Sequence, residues 1–151
     1  MKHFKGKRIV IGHSTQSSVE KEELTPDITG TCIICPHSFS FLGDIDSSSG
    51  EIIKSDSPCK HMKIENSILA FYSSKGSSSG CVILSSLAQR NKGPLAIITL
   101  HSADYNLVEG AILGDIPFVS EINPTFFQNI RTGMTVTIRQ NDCFITKEKD
   151  S

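Results

Sequence analysis

Short apolar runs separated by polar, serine-rich segments make up the first half of the chain. Residues 8–11 (RIVI), 31–35 (TCIIC) and 67–72 (SILAFY) have the length and composition of strands, and 51–54 (EIIK) is a further candidate. Pro36 is expected to end the second strand, because proline cannot donate a hydrogen bond to a neighbouring strand. The pattern of apolar runs therefore predicts β-strands in the N-terminal part of the chain.

A strand–helix–strand unit is predicted in the middle of the chain. The buried strand at 67–72 is followed by a serine-rich loop, and apolar residues then recur at helical spacing over 81–90. Gly93 and Pro94 end this helix, and 95–100 (LAIITL) is a second buried strand. Two strands joined through a helix run parallel, so we expect a parallel pair here.

The C-terminal third continues this mixed pattern. Residues 104–114 predict a second helix, 116–119 a short edge strand, and 123–133 a third helix that begins at Asn-Pro and ends at Thr-Gly. Residues 134–139 alternate like a half-buried strand that pairs with 142–145 in a hairpin. The predicted fold is a single α/β domain with a barrel-like mixed sheet and a few helices.

Composition narrows the functional classes. The chain has 151 residues, of which 38% are hydrophobic, so it can form one packed core. A net charge of −1 argues against nucleic acid or a membrane surface as a partner. No apolar run approaches the roughly 20 residues of a membrane span, and the N-terminus lacks the hydrophobic stretch of a signal peptide. The expected location is the cytoplasm.

The cysteines predict buried thiols rather than a metal site. Cys32 and Cys35 lie three positions apart on a predicted strand, so their side chains point to opposite faces and cannot share one metal ion. Cys59 and His61 are too few to complete a site. Cys81 begins the first predicted helix, where the helix dipole would lower its thiol pKa, although a packing role is favoured. The five cysteines are Cys32, Cys35, Cys59, Cys81 and Cys143.

The serine-rich loop at 73–80 is the strongest local signal for chemistry. Gly76-Ser-Ser-Ser-Gly80 lies between a buried strand and a helix, where backbone N–H groups and the helix dipole bind anions. Lys75 adds positive charge, and a hydroxyl with a lowered pKa could accept a proton. The spacing is not that of a P-loop. The alternative is a helix N-cap preceded by a flexible loop.

The order of several short motifs resembles the swivel domain of the aconitase X family. The match spans residues 28–146, and its motifs are specific in combination. They are 40–46 (SFLGDID), Gly50, 68–72 (ILAFY), 75–80 (KGSSSG), 110–117 (GAILGDIP) and 131–136 (RTGMTV).

This resemblance implies a swivelling β/β/α fold and a place in a hydro-lyase. In that family the swivel domain is often a small subunit that docks on a large subunit carrying an iron or iron–sulfur site, in a heterodimer. The catalytic serine of the family follows Lys-Gly and maps onto Ser77. It would act as the base that removes a proton, while the metal on the partner takes the hydroxyl. The substrate-binding residues implied are Lys75, Gly76, Ser78, Ser79 and Gly80, and no metal is expected on this chain.

The resemblance leaves the substrate open between two small hydroxy acids. The C-terminal third is closer to the type that dehydrates mevalonate 5-phosphate, whereas the serine loop is closer to the type that dehydrates cis-3-hydroxy-L-proline. We favour the first. The chain departs from the family at Gly43-Asp44, where two glycines are usual, and at 12–30, which resembles an insertion. The expected organisation is an N-terminal strand and polar insertion at 1–27, the swivel domain at 28–146 and a charged tail at 147–151.

Two other classes of function remain at this point. One is a non-catalytic module in which the Gly/Ser loop binds a phosphate or carboxylate. The other, a weaker hypothesis, is a thiol or zinc protein built on Cys32 and Cys35.

Overall fold

The structure is a computed structural model that describes residues 2–9, 26–74 and 78–146. The predicted loop at 73–80 and the predicted insertion at 12–30 therefore lie only partly within the described residues. Within the described ranges no helix has the length and apolar character needed to cross a bilayer. The strands are β1 (Lys2–Lys5), β2 (Lys7–Ile9), β3 (Ile28–Phe39), β4 (Ile68–Ser74), β5 (Ala96–Thr99), β6 (Phe118–Ser120), β7 (Thr135–Arg139) and β8 (Asp142–Thr146). The helices are α1 (Ser78–Gln89), α2 (Tyr105–Gly114) and α3 (Thr125–Asn129).

The strands form one mixed sheet whose two ends are joined by the chain itself. The strand order is β1-β8-β7-β3-β4-β5-β6-β2. Strands β3 to β6 are parallel, and the remaining pairs are antiparallel. Because Gly6 alone separates β1 from β2, the first and last strands of the sheet are continuous, and the sheet closes like a barrel. The predicted α/β fold with a barrel-like mixed sheet is confirmed.

The predicted strand–helix–strand unit is also confirmed. Strands β4 and β5 are parallel, with Ile68 paired to Ala96 and Phe71 to Thr99, and α1 connects them. Helix α2 connects β5 to β6 in the same way and packs against α1. Helices α1 and α2 therefore begin at the edge of the sheet where the parallel strands end.

The buried side chains form two clusters, one on each face of the parallel strands. One cluster includes Leu84 and Leu87 of α1 and packs the helices onto the sheet. The other includes Phe4, Val136 and Ile145, which lie on strands around the closed sheet, so it fills the inside of the barrel. Burial on both faces explains why β4 and β5 are continuous apolar runs rather than alternating ones.

Two strand predictions are wrong. Strand β3 begins at Ile28 rather than Thr31 and continues through Pro36 to Phe39, because its register with β4 shifts between Cys35 and Ser38 and the irregularity accommodates the proline. Strand β6 is not at an edge, since β2 pairs with its free side.

A third candidate, 51–54, forms only isolated bridges. The predicted strand at 8–11 is observed as β2 (Lys7–Ile9) within the described residues. Of the predicted insertion at 12–30, residues 12–25 lie outside the described residues, whereas 28–30 belong to β3. The charged tail at 147–151 also lies outside them.

Candidate active site

The candidate site lies at the edge of the sheet where the parallel strands end. Strand β3 ends at Phe39, β4 at Ser74 and β5 at Thr99, and parallel strands present their carboxyl ends at one common edge. In open α/β sheets this is the edge at which ligands bind. The predicted catalytic residue, Ser77, would follow β4 at this edge. Lys75, Gly76 and Ser77 themselves lie outside the described residues.

The other three predicted loop residues belong to a helix. Ser78, Ser79 and Gly80 form the first turn of α1, so the helix begins three positions earlier than the apolar periodicity predicts. The first N–H groups of a helix have no acceptor within the helix, and the helix dipole places positive partial charge there. This end of α1 faces the same edge as the end of β4, and it favours a negatively charged group.

Hydroxyl groups from two adjacent strands meet at this edge. The Oγ atoms of Ser38 on β3 and Ser73 on β4 lie 3.0 Å apart in a hydrogen bond. The neighbouring Ser74 Oγ is buried and has no hydrogen-bond partner among the described residues. The end of β4 therefore carries polar groups immediately before the segment in which Ser77 lies.

Asp104 follows the next parallel strand and was not among the predicted site residues. Its Oδ1 accepts a hydrogen bond from the Leu107 N–H at 2.8 Å and caps α2, whereas its Oδ2 is buried without a partner in the described part of the chain. A signal was available in the sequence, because Asp104 comes shortly after β5, and polar residues that follow parallel strands share one edge.

The two aspartates at 44 and 46 organise turns. Asp44 Oδ2 accepts from the Ser40 N–H at 2.8 Å, and the Asp44 N–H donates to the Ser40 carbonyl at 3.1 Å. This reciprocal pair closes a turn that contains Gly43 at a φ of 109°. The departure from the family pattern at Gly43-Asp44 is thus accommodated by a side chain that bonds within its own turn.

The cysteines lie in the packed interior. Cys32 belongs to the cluster inside the barrel and Cys35 to the cluster under the helices, so the prediction of opposite faces is confirmed. Burial raises the thiol pKa of Cys32, and it raises that of Cys143 to about 12. Across the described ranges, no three His, Cys, Asp or Glu side chains are grouped closely enough to hold a metal ion.

The predicted pKa shift of Cys81 is wrong. Burial raises the pKa of this thiol, and the charge of Glu109 contributes in the same direction. Cys81 is buried where α1 meets α2, next to Gly110. The burial of Cys81 between the two helices agrees with the packing role that the sequence favoured.

A shallow cleft lies at the opposite end of the helices. Ala88 near the end of α1 and Asp115 after α2 line it, together with Pro94 before β5. These residues are at the end of the fold away from the start of α1. The cleft is therefore separate from the candidate active site.

Comparison with known proteins supports the resemblance found in the sequence. The family model for the aconitase X swivel domain matches residues 18–146. The phosphomevalonate dehydratase small subunit of Pyrococcus abyssi is 35% identical over 111 residues, which cover 74% of this chain and 82% of the relative. The subunit of the same name from Pyrococcus horikoshii is 34% identical over 115 residues, or 76% of this chain and 83% of the relative.

A solved structure agrees with these sequence comparisons. The crystal structure of Thermococcus kodakaraensis aconitase X in its holo-form superposes with a TM-score of 0.80 and 28% sequence identity. The match covers 97% of this chain and 100% of that chain.

Proposed function

The chain belongs to the aconitase X swivel-domain family, and from this membership we propose that it is the small subunit of a hydro-lyase that dehydrates mevalonate 5-phosphate. The observation that carries the proposal is the match to small subunits of phosphomevalonate dehydratase over more than four fifths of their length. The closed sheet and the βαβ unit supply the scaffold on which such a subunit presents a loop.

Ser77 is proposed as the base. It follows Lys75-Gly76 between the end of β4 and the start of α1, the position of the catalytic serine in the family motif. The positive end of the α1 dipole and the Lys75 ammonium would both stabilise a deprotonated hydroxyl, which lowers its pKa. Removal of a carbon-bound proton by Ser77 and departure of the substrate hydroxyl together form a double bond and release water.

The substrate contacts are proposed at the same loop. The N–H groups of the first α1 turn, with Ser78 and Ser79, are suited to an anionic group of the substrate. Lys75 and Gly76, which precede Ser77, are also proposed to contact the substrate. The exposed side chains of Ser78 and Ser79 are oriented to the outside of the fold, where a bound molecule can reach them.

The metal is assigned to a large partner subunit. The cysteine sulfurs of this chain are buried, and Cys32 and Cys35 lie on opposite faces of the sheet. This donor set does not fit an iron or iron–sulfur site, which supports a metal site on the partner subunit. The active site would then form between the two subunits in the cytoplasm.

The test begins with the assembled enzyme. We would tag the chain in its native cell, purify it anaerobically and measure co-purifying protein and iron together. A large iron-containing partner, and turnover of mevalonate 5-phosphate by the complex but not by either subunit alone, are the expected results. Turnover of cis-3-hydroxy-L-proline instead would assign the other substrate of the family. An iron-free chain with no partner, which binds phosphate in an NMR titration, would instead support the non-catalytic anion-binding module.

Ser77→Ala in the complex tests the proposed base. We expect kcat to fall by about 10²- to 10⁴-fold, the usual contribution of a general base, while the subunits still co-purify. Ser55→Ala is the matched control, because Ser55 is exposed in the segment between β3 and β4. Full activity of the Ser77 variant would exclude the role.

A further inference from the structure

Two thiols from distant parts of the sequence meet under the helices. Cys35 lies on β3, and Cys59 lies in the long segment between β3 and β4. Both belong to the same buried cluster, with side chains 0% and 1% exposed. Both are free thiols in this structure.

The backbone of β3 fixes the distance between them. Cys59 Sγ donates a hydrogen bond to the Ile34 carbonyl oxygen at 2.8 Å. A carbonyl oxygen lies within about 3 Å of the following Cα, so this sulfur is within about 6 Å of the Cys35 Cα. Because both side chains also lie in the same buried cluster, the two sulfurs are close neighbours. Each thiol is also the largest influence on the pKa of the other, as expected for neighbouring sulfurs.

The surroundings distinguish the two sulfurs. Thr132 Oγ1 accepts from the Ile34 N–H at 3.0 Å and lies 3.7 Å from Cys59 Sγ, so its own proton is available to that sulfur. The interaction with Cys35, and after it the Thr132 hydroxyl, lower the pKa of Cys59, against the effect of burial. The hydrogen bond with Cys59, followed by burial, raises the pKa of Cys35. The nearby Thr132 hydroxyl can therefore stabilise a Cys59 thiolate, which is the nucleophilic form of the thiol.

We infer that Cys35 and Cys59 form an oxidative modification site, a dithiol that hydrogen peroxide converts to a disulfide. The Cys59 sulfur attacks one peroxide oxygen and the O–O bond breaks, which gives a sulfenic acid and one water. The Cys35 sulfur then displaces the hydroxyl from the Cys59 sulfur, and a second water leaves. Two thiols are oxidised and one peroxide is reduced to two waters. The bond would tie the β3–β4 segment to β3, and the site is independent of the proposed dehydratase function.

Peptide mapping of the full-length chain tests the site. The reduced protein is treated with hydrogen peroxide, the remaining thiols are blocked with N-ethylmaleimide in denaturant, and trypsin digestion follows without reduction. Cys59 is the only cysteine of tryptic peptide 55–60, whereas Cys32 and Cys35 share peptide 22–54. We expect a cross-linked pair of these two peptides that dithiothreitol separates, with fragment ions that place the bond at Cys35.

Alanine variants separate the two neighbouring cysteines. Cys35→Ala should reduce the cross-linked pair to background, whereas Cys32→Ala, the matched control on the opposite face, should retain it. A disulfide between Cys59 and Cys32 would overturn the inference. Full N-ethylmaleimide labelling of Cys59 at a peroxide concentration that already oxidises Cys81 would also overturn it. Fragment-ion mapping of the wild-type chain gives the same decision if either variant fails to fold.

Discussion

Asp46 organises its turn through three hydrogen bonds to one oxygen. Its Oδ1 accepts from the Ser48 hydroxyl at 2.6 Å and from the N–H groups of Ser48 and Ser49, both at 2.9 Å. The turn closes where the Gly50 N–H donates to the Asp46 carbonyl, with Gly50 at a φ of 76°. The Ser48 hydroxyl, followed by the backbone N–H groups of Ser49 and Ser48, holds the pKa of Asp46 well below its ordinary value of 3.8.

The lowered pKa of Asp46 predicts a pH-dependent contribution to stability. A carboxyl group whose pKa is lower in the folded state stabilises that state fully above pH 3.8, and the contribution is lost as the pH falls towards the lowered value. We therefore expect Asp46→Asn to lower the melting temperature at neutral pH, by an amount that shrinks below pH 3.8. Thermal melts of both proteins across this range measure the difference.

The Ser48 hydroxyl provides the control for this prediction. Because it is the largest cause of the pKa shift, Asp46→Asn should have a smaller effect in a Ser48→Ala background. An effect of Asp46→Asn that is constant with pH would show that the charge is not what stabilises the turn.

Among the elements, α1 and α2 depend on one glycine for their close approach. A Cβ at Gly110 would lie 3.1 Å from both the Cα and the carbonyl oxygen of Cys81. These are backbone atoms of a regular helix, so they cannot move aside without shifting α1. The glycine thus fixes the distance between the helices that begin at the candidate active site.

Gly110→Val should separate α1 from α2. We expect a loss of about 1–3 kcal/mol in the free energy of unfolding, as for other overpacked positions. Urea denaturation measures it. Glu109→Val places the same β-branched residue at the adjacent, exposed position of α2 and controls for helix propensity. Equal losses in the two variants would mean that the helix contact is not tight.

Elements that depend on residues close together in the sequence could be predicted, whereas features that depend on distant residues could not. The βαβ unit was predictable because the periodicity of 67–100 is a local property and its strands are buried on both faces. The continuation of β3 through Pro36 was not, because it depends on a register shift against β4 that the local sequence does not reveal. The short contacts of Cys59 with β3 are likewise non-local, and only the fold shows them.

The candidate site was predictable in part for the same reason. A Gly/Ser loop between a strand and a helix is visible in the sequence, and the structure places the end of β4 and the start of α1 on either side of that loop. The oxygens of Ser74 and Asp104 that have no partner within the described ranges were not predictable, because hydrogen-bond satisfaction depends on packing between elements. The role of Ser77 rests on the family motif and remains a prediction.

At the scale of the whole molecule, Gly6 is where the sheet closes. The chain leaves its pairing with β8 at Lys5 and enters its pairing with β6 at Lys7, so the direction must change within one residue. The Gly6 N–H donates to the Asn141 carbonyl at 2.8 Å. A Cβ at this position would lie 2.4 Å from Val119 Cγ1, so only glycine fits without a shift.

Gly6→Ala should therefore strain the closure, and Val119→Ala should relieve the strain. Val119 is fully buried, so its substitution alone also destabilises the fold through a cavity. Gly6→Ala alone should cost about 1–3 kcal/mol in the free energy of unfolding. In the double variant the new methyl group occupies the space that Val119 vacates, so the loss should be smaller than the sum of the single losses by about 0.5–3 kcal/mol.

Urea denaturation of the four proteins in this cycle distinguishes closure from a general loss of core packing. If the cavity at Val119 and the effect at Gly6 were independent, the two losses in the free energy of unfolding would add. A favourable coupling requires that the two positions compete for the same space, which occurs only if β2 is seated against β6 while β1 remains paired with β8. Strict additivity would mean that β2 is not paired with β6 while β1 is paired with β8. The sheet would then be open at β6 in solution, with an unpaired edge available to other chains.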